Sequence, residues 1–428
     1  MDMESPCNGD AAEKTAIAFW MERVLRDCER AAMDFARDPV HDLRVALRRC
    51  RSIAAGFIYF DPARDWVDMR KEATRLFKRL GELRDSQVMA EWVGDPGAPA
   101  DDAAAVLAKH LAVREAELKK AGAEALNRFD RKRWLAWSSR LSDRAARIPT
   151  DSPAFRHLAL EHWEKARYLH HQALRNRSHV AYHRLRIGLK KFRYITENFL
   201  PGLHQEWGPA LRELQDLLGE MHDLHVLFQT AISIEALSDK EARSRWCAWI
   251  AGEIRDRQAL YRGRMTGRDS HWRVWRTALP QGAQLESAAL GRLQTWASFR
   301  DPDCARSVRV ARLALRLYDS LERLDLPRIA KGDRPRSILR VSALLHAVGR
   351  SRQPGRIHKE SCRLVRKLDP PIGWTADDFR MVALVIRYCR GALPAPGQKD
   401  TRGLPAEQLR LLSLLSGVLR LADSLAAR

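Results

Sequence analysis

The sequence has little of what marks a secreted, zinc-ribbon or membrane protein. Its 428 residues include seven cysteines, none of them in a CxxC pair, which argues against a disulfide framework or a zinc ribbon. The most apolar stretch, 409–425, is interrupted by Arg420 and Asp423, so no run of about 18 apolar residues is available to cross a membrane. The N-terminus MDMESPCNGD is acidic and has no apolar core, so no signal peptide is expected. These absences predict a soluble protein of the reducing cytoplasm.

Glycine and proline are also scarce. The chain has 23 Gly and 19 Pro, about 10% of its residues, which favours helices over turn-rich β architecture. Helical periodicity dominates from residue 10 to 279 and again up to residue 428, with interruptions at 148–155 and 279–287. No segment shows convincing strand-like alternation. The sequence therefore predicts an all-α chain of two to three domains.

Positive charge is what the sequence has in excess. It contains 75 Lys+Arg against 54 Asp+Glu, a formal net charge of +21, with a pI of about 10.1. Such an excess fits a polyanionic partner, and it leaves open nucleic acid, an anionic membrane surface and inorganic polyphosphate. Residues 281–428 carry +13 of this charge and residues 1–280 carry +8. The C-terminal part is therefore expected to present an anion-facing surface of its own.

Two halves of the helical region repeat each other. HDLRVALRRCR (41–51) matches HRLRIGLKKFR (183–193). LGELRD (80–85) matches LGEMHD (218–223), in the same order along the chain and at nearly the same separation. Two ordered matches with nearly one offset predict an internal duplication, with a pseudo-two-fold helical bundle as its shape.

The repeated motif places cations along one helix face. His41, Arg44, Arg48 and Arg51 fall within an arc of about 80° at 100° per residue. The second copy aligns His183, Arg186, Lys190 and Arg193 in the same way. Such rows cost like-charge repulsion, which a run of phosphates along the face would relieve. The plainer alternative is a basic helix face that is simply solvated. The recurrence of the motif in both halves, with His at the same position, favours binding over this alternative.

Further basic residues flank these rows. Arg49 and Lys191 lie about 80° outside the arc and are expected either to border the site or to lie on the surface. The LGE elements add Lys78, Arg79 and Arg84 in the first half and His222 in the second. The aspartates of the LGE elements, Asp85 and Asp223, are expected to orient cations or cap a turn, and the glycines to allow a close helix approach or a kink.

The duplicated H-x-x-R-x-x-x-[RK]-[RK]-x-R motif, each copy followed by L-G-E-x-x-D, resembles the CHAD family, the conserved-histidine α-helical domain. The resemblance covers residues 10–279, with repeats at about 10–148 and 156–279. It implies two four-helix-bundle-like halves around a basic cleft that binds inorganic polyphosphate without hydrolysing it. The predicted polyphosphate-binding residues, flanking ones included, are His41, Arg44, Arg48, Arg49, Arg51, Lys78, Arg79, Arg84, His183, Arg186, Lys190, Lys191 and Arg193.

Residues 289–428 resemble the HD-like helical domain of the exopolyphosphatase/guanosine-pentaphosphatase family, through ILRVSALLHAVGRSR (338–352), IHKES (357–361) and VIRYCRGALP (385–394). An HD site needs His and carboxylate ligands together. Here Arg306 stands at the first His position, Ala347 follows His346, and Asp423 is kept. No metal site and no catalytic residue is therefore predicted. A second anion site is predicted instead, at Arg306, His346, His358, Arg387 and Arg390.

Together these patterns predict a non-enzymatic protein that binds inorganic polyphosphate, without a cofactor. The resemblance implies attachment to polyphosphate granules in the cytoplasm and contacts with granule proteins. Two alternatives stay open: a nucleic-acid-binding protein, suggested by the charge and 13 Trp, and a metal-dependent phosphohydrolase acting through the HD-like domain. No membrane partner is expected.

Overall fold

The computed structural model describes residues 16–324 and 333–426. These ranges contain sixteen α-helices and no strand, which confirms the all-α prediction. The first residues of the predicted CHAD region, 10–15, lie outside the described ranges, as does Cys7. No helix among the described residues combines the length and the apolar character needed to cross a membrane.

The chain divides into two compact units. The first comprises the described residues up to Ile58 together with Ala63–Asp151 and Leu158–Leu279, and the second comprises Tyr59–Pro62, Ser152–His157 and the described residues from Pro280 onwards. Ten helices precede residue 279: α1 Ala16–Asp34, α2 Arg37–Ile58, α3 Arg64–Val93, α4 Asp102–Asn127, α5 Arg131–Ala145, α6 Pro153–Asn176, α7 His179–Phe199, α8 Pro201–Ser233, α9 Lys240–Met265 and α10 His271–Ala278. Six follow: α11 Ala283–Ser298, α12 Cys304–Arg323, α13 Asp333–Leu345, α14 Ile357–Val365, α15 Ala376–Tyr388 and α16 Ala406–Leu425.

The two motif helices, α2 and α7, are amphipathic for the same reason. In α2 the apolar stripe of Leu43, Leu47 and Cys50 is completely buried. In α7 the equivalent positions Leu185, Leu189 and Phe192 are likewise buried. The opposite face of each helix is then free to present the basic row.

Helix α2 packs against α7, and α3 packs against α8. These are the corresponding helices of the two repeats, so their pairing follows the predicted duplication. Gly56 allows the close approach of α2 and α7, because a Cβ at this position would overlap the Phe199 ring. The two basic rows are thereby brought to neighbouring helices.

The second unit is built from helices that pack around α13. Helix α12 packs against α13 and α16, and α13 packs against α15. Helix α15 begins at a capping box formed by Thr375 and Asp378. The core includes Leu339, Val382 and Leu419, each completely buried.

Candidate functional site

A cleft of about 710 Å³ in the first unit is lined mainly by charged side chains of α2, α3, α7 and α8. Its cationic lining consists of His41, Arg44, Arg48, Arg49, Arg84, Arg186, Lys190, Arg193, His204 and Arg212. Its acidic lining consists of Asp85, Glu197, Asp216, Glu220 and Asp223. The cleft therefore draws on both copies of the basic motif and both LGE elements.

Four cations at the centre of this cleft have no carboxylate partner. Arg44 and Arg48 come from α2, and Arg186 and Lys190 come from α7. All four are partly buried, and none takes part in an ion pair within 4.0 Å in the described part of the chain. Clusters of half-buried cations are normally neutralised by nearby carboxylates. In this cleft, the lining carboxylates stay more than 4.0 Å from the four cations among the described residues.

Burial and the neighbouring cations lower the pKa values of two of these groups. Burial, with the charges of Arg186, Arg48 and Arg44 acting in the same direction, lowers the pKa of Lys190 to about 7. Burial also lowers the pKa of Arg44 to about 10, with Arg48 among the contributing cations. Part of the depression of both pKa values thus comes from like charges that face the same cleft.

Aromatic stacking holds the first-repeat arginines in place. Arg44 and Arg51 both lie over the Phe77 ring, with their guanidinium carbons 4.5 and 4.4 Å from its centroid. Arg44 also donates a hydrogen bond of 3.5 Å to the Phe77 carbonyl. An aromatic platform orients the guanidinium without neutralising it, which keeps the charge available.

The glycine of each LGE element lies beside the leading arginine of the basic row. A Cβ on Gly81 would come within 2.9 Å of Arg44 Nη1, and one on Gly219 would stand 4.0 Å from Arg186 Nε. The glycines therefore make room for an arginine, tightly in the first repeat and with more clearance in the second.

The aspartates of the LGE elements face the same arginines. Burial raises the pKa of Asp223 to about 6 although Arg186 opposes the rise, and burial raises the pKa of Asp85 against the charge of Arg44. Neither carboxylate comes within 4.0 Å of a cation among the described residues. They moderate the positive potential of the cleft without quenching it.

In the second unit, three of the residues predicted as a second anion site contact a single carboxylate, that of Asp423. Asp423, whose side chain is 6% exposed, has Oδ1 2.6 Å from Arg306 Nη2 and Oδ2 2.5 Å from Arg390 Nη2. His346 Nε2 lies 3.3 Å from Oδ1, and His346 Nδ1 donates to the Ala343 carbonyl at 2.7 Å. Burial alone would raise the pKa of Asp423, but its contacts with His346 and Arg390 hold that pKa below its usual range. Within the described residues, no group of three or more His, Cys, Asp or Glu is arranged to hold a metal ion.

Comparison with known proteins identifies both parts of the chain. The family model of the CHAD domain matches residues 17–231, half of the sequence. This chain belongs to the CHAD domain family. The model described as Ppx/GppA phosphatase, domain III, matches residues 294–428. Both resemblances expected from the sequence are thus confirmed.

A solved structure and the curated proteins complete the comparison. The crystal structure of the CHAD domain from the plant Ricinus communis matches with 20% sequence identity and a TM-score of 0.47, over 60% of this chain and 93% of that chain. No curated protein shows significant sequence similarity to this chain.

Within the CHAD domain, the structure gathers eight of the thirteen residues predicted for the polyphosphate site around one cleft. The eight are His41, Arg44, Arg48, Arg49, Arg84, Arg186, Lys190 and Arg193. Arg51 supports the cleft through Phe77 instead of lining it. Lys78 and Lys191 are exposed outside the lining, and Arg79 lines a separate pocket of about 190 Å³ near α4.

The remaining predicted histidine, His183, belongs to a histidine cluster. His183 and His222 line a pocket of about 190 Å³ with His179 and His225, and His179 Nε2 lies 3.3 Å from His222 Nδ1. Burial and the charge of Arg186 lower the pKa of His222 to about 4. His179 and His225 were not anticipated, although their spacings of four and three residues from His183 and His222 signal a shared helix face.

The five residues predicted as a second anion site are distributed over more than one contact, and three of them share a carboxylate. Arg306, His346 and Arg390 meet at Asp423, where the two guanidinium groups are already paired. Arg387 instead has Nε 3.4 Å from Asp400 Oδ2. Burial and nearby Arg387 lower the pKa of His358, which is only partly buried. An internal carboxylate therefore lies where the sequence predicts a bound phosphate, and the second anion site stays a prediction.

Proposed function

We propose that the CHAD domain binds inorganic polyphosphate in the cleft between its two repeats, without hydrolysing it. The observation that carries this proposal is the set of four unpaired, partly buried cations, two from each repeat. Along α7, the cleft-lining row from Arg186 to Arg193 extends over about 10 Å at 1.5 Å per residue. A flexible polymer with one negative charge per phosphate can follow such a row, whereas a small anion would neutralise only part of it.

Binding without hydrolysis is supported by the chemistry of the second unit. The resemblance to HD-like domains implies a metal held by histidine and carboxylate, but here the guanidinium of Arg306 lies against Asp423. A guanidinium supplies the positive charge that a metal would supply, yet it can neither polarise a phosphoryl oxygen as a Lewis acid nor activate water. Phosphate release from polyphosphate with Mg²⁺ or Mn²⁺ that disappears in Asp423→Asn would contradict this part of the proposal.

Nucleic acid fits the cleft less well than polyphosphate does. Trp66, Trp134, Trp207, Trp246 and Trp275 are fully buried, so these rings are unable to stack on bases. We expect long-chain polyphosphate to displace tRNA from the chain at equal phosphate concentration. Displacement only in the reverse direction would favour the nucleic-acid alternative. If the protein binds polyphosphate in this way, we expect it to attach to polyphosphate granules in the cytoplasm. Substitution of the cleft cations in a fluorescently tagged chain should abolish this attachment.

Adjacent lysines of α7 provide a matched test of the cleft. Lys190 lines the cleft and Lys191 is exposed outside it. We expect Lys190→Gln to weaken polyphosphate binding about tenfold, because a charge-assisted contact is lost, and Lys191→Gln to change it less than about twofold. Isothermal titration calorimetry at fixed salt measures both. Equal losses in the two variants would mean that net charge, and not the cleft, drives binding.

Binding should also be accompanied by proton uptake at Lys190. In the free protein its pKa is about 7, against 10.5 for an ordinary lysine, and a polyanion favours the charged form. At pH 8 the amine is mostly neutral before binding and protonated afterwards, so we expect uptake of up to about one proton. Uptake at this group should fade below pH 6, where Lys190 is already charged, and affinity should decrease from pH 7 to 9.

Calorimetry in buffers of different ionisation enthalpy gives the number of protons taken up. The difference between the wild-type chain and Lys190→Gln isolates the contribution of Lys190 from that of the histidines, which titrate at lower pH. If the two proteins take up the same number of protons at pH 8, Lys190 does not contact the bound polymer.

A further inference from the structure

The basic row of α7 ends in a carboxylate. Glu197 follows Arg193 by one helical turn, on the same face as Lys190 and Arg186. Its side chain is only 6% exposed, yet it lines the cleft. When the two copies of the motif are aligned, the corresponding position of the first repeat is Ala55. The duplicated site is therefore asymmetric, and the asymmetry is one buried negative charge.

Glu197 is held by basic side chains from three helices. Its Oε1 forms a short ion pair with Arg49 Nη2 of α2, lies 3.5 Å from Arg193 Nη2 of α7, and lies 3.9 Å from His204 Nε2 of α8. Arg49 is fixed by a further hydrogen bond of 3.2 Å to Asn198 Oδ1. Three basic groups converging from separate elements on one carboxylate form the arrangement that proteins use for a bound phosphate.

The carboxylate leaves part of this arrangement unsatisfied. Four buried polar atoms around it have no hydrogen-bond partner among the described residues: Arg193 Nε, Tyr194 Oη, His204 Nδ1 and Gln215 Nε2. Buried polar groups are normally paired, and each unpaired one costs about 1–3 kcal/mol. Arg193, His204 and Gln215 line the same cleft as Glu197. A carboxylate offers two oxygens in one plane, whereas a phosphate group offers oxygens in a tetrahedral array that can reach more of these donors.

We propose that this end of the cleft is a phosphate subsite, formed by Arg49, Arg193 and His204 with Tyr194 and Gln215, and that Glu197 occupies it in the free protein. A phosphate of the polymer displaces the carboxylate and satisfies the donors that Glu197 leaves unpaired. Displacing Glu197 costs the same free energy for every anion that enters the subsite, and only a polymer with further contacts along the cleft can offset that cost. The inference rests on the proposed binding of polyphosphate to the cleft.

The test compares two neutral variants of the full chain with long-chain polyphosphate as the probe. Glu197→Gln removes the internal anion while keeping its size. Asp216→Asn makes the same change of charge at another carboxylate that lines the cleft, one without an ion pair within 4.0 Å in the described residues. We expect Glu197→Gln to bind at least about fivefold more tightly than the wild type, and Asp216→Asn less than about twofold more tightly. Inorganic phosphate should show the same order of affinities.

Tyr194→Phe gives an independent readout should Glu197→Gln fold poorly. Removal of a buried hydroxyl without a partner should leave the melting temperature unchanged or raise it. The same change should weaken polyphosphate binding about threefold or more, because the hydroxyl is a donor in the occupied subsite. Loss of affinity without loss of stability would not follow from a purely structural role.

The outcomes separate this inference from the proposed function. If the wild type binds polyphosphate but Glu197→Gln binds no more tightly than Asp216→Asn, or Tyr194→Phe binds like the wild type, the subsite is refuted and the cleft stands. If the wild type does not bind polyphosphate at all, the proposed function itself fails.

Discussion

Replacing Arg44 and Arg186 together by glutamine is expected to weaken polyphosphate binding by roughly a thousandfold at fixed salt. The two arginines occupy equivalent positions in the two repeats, face the same cleft and have no carboxylate partner within 4.0 Å in the described chain. A charge-assisted hydrogen bond contributes about 1.5–3 kcal/mol, so two of them correspond to roughly 10²- to 10⁴-fold in affinity. Fluorescence anisotropy with end-labelled polyphosphate covers this range.

The salt dependence of binding provides a second measurement on the same variant. Each lost phosphate contact lowers the slope of log affinity against log salt by about 0.7, so the double variant should lose about 1.4. Without ligand, the variant should be as stable as the wild type or more stable, because repulsion with Lys190 is relieved. A large loss of stability would instead show that these arginines maintain the fold.

The matched control removes one cation from each repeat outside the cleft. Lys78 and Lys191 are both exposed and both belong to the basic elements that the sequence singled out. Their double replacement by glutamine changes the net charge by the same amount. We expect a loss of no more than about threefold, since exposed charges act at long range and are screened by salt. If the control variant bound polyphosphate as weakly as the arginine variant, binding would depend on net charge and not on the cleft.

The motif rows were predictable because a helix converts sequence spacing directly into a face. His41, Arg44 and Arg48 share an arc on α2 whatever α2 packs against, and their counterparts share one on α7. Lys191, about 80° outside the arc, is exposed, whereas its counterpart Arg49 at the same angle lines the cleft, so the angle alone does not decide their placement. Lys78 was harder to place, because its position depends on how α3 is rotated against α2. Sequence spacing within one helix contains no information on that rotation.

The acidic residue at the end of the row was missed for a related reason. Glu197 is one helical turn from Arg193, which signals a local ion pair at most. Its real environment depends on Arg49 and His204, which belong to other helices, and Arg49 lies in the other repeat. Only the packing of α2 and α8 against α7 brings them together. An internal anion of this kind becomes visible when tertiary contacts are known.

In the HD-like region, the guanidinium of Arg306 and the methyl group of Ala347 predict that no metal is held, since neither group ligates metals. The predicted second anion site did not take into account that Asp423 contacts both Arg306 and Arg390. Arg306 and Asp423 are far apart in the sequence, so nothing in their spacing indicated that one carboxylate would satisfy both arginines.

Asp423→Ala is expected to destabilise the second unit by about 3–5 kcal/mol, because it leaves buried charge without compensation. Arg306 is 14% exposed and His346 is 2% exposed, so neither can recover much hydration when Asp423 is removed. The matched control is Asp400→Ala: Asp400 also contacts two arginines, Arg366 at 2.9 Å among them, but it is 23% exposed. Solvent screening limits its expected loss to about 1 kcal/mol.

Hydrogen exchange of the amides of α12 and α16 measures this effect within the second unit of the intact chain. Their protection should fall in Asp423→Ala, and protection of α2 and α7 should not. The pKa of Asp423 is depressed in the folded state. Its contribution to the free energy of unfolding is therefore fully present above the ordinary aspartate pKa of 3.8, and it is lost as the pH falls through the folded-state pKa. The difference between wild type and Asp423→Ala should therefore be constant from pH 5 to 8 and shrink in stronger acid. Unchanged protection of α12 and α16 would show that the contacts of Asp423 with Arg306 and Arg390 do not stabilise the second unit. A loss of polyphosphate affinity in Asp423→Ala, with the first unit intact, would instead indicate that the second unit is part of the binding site.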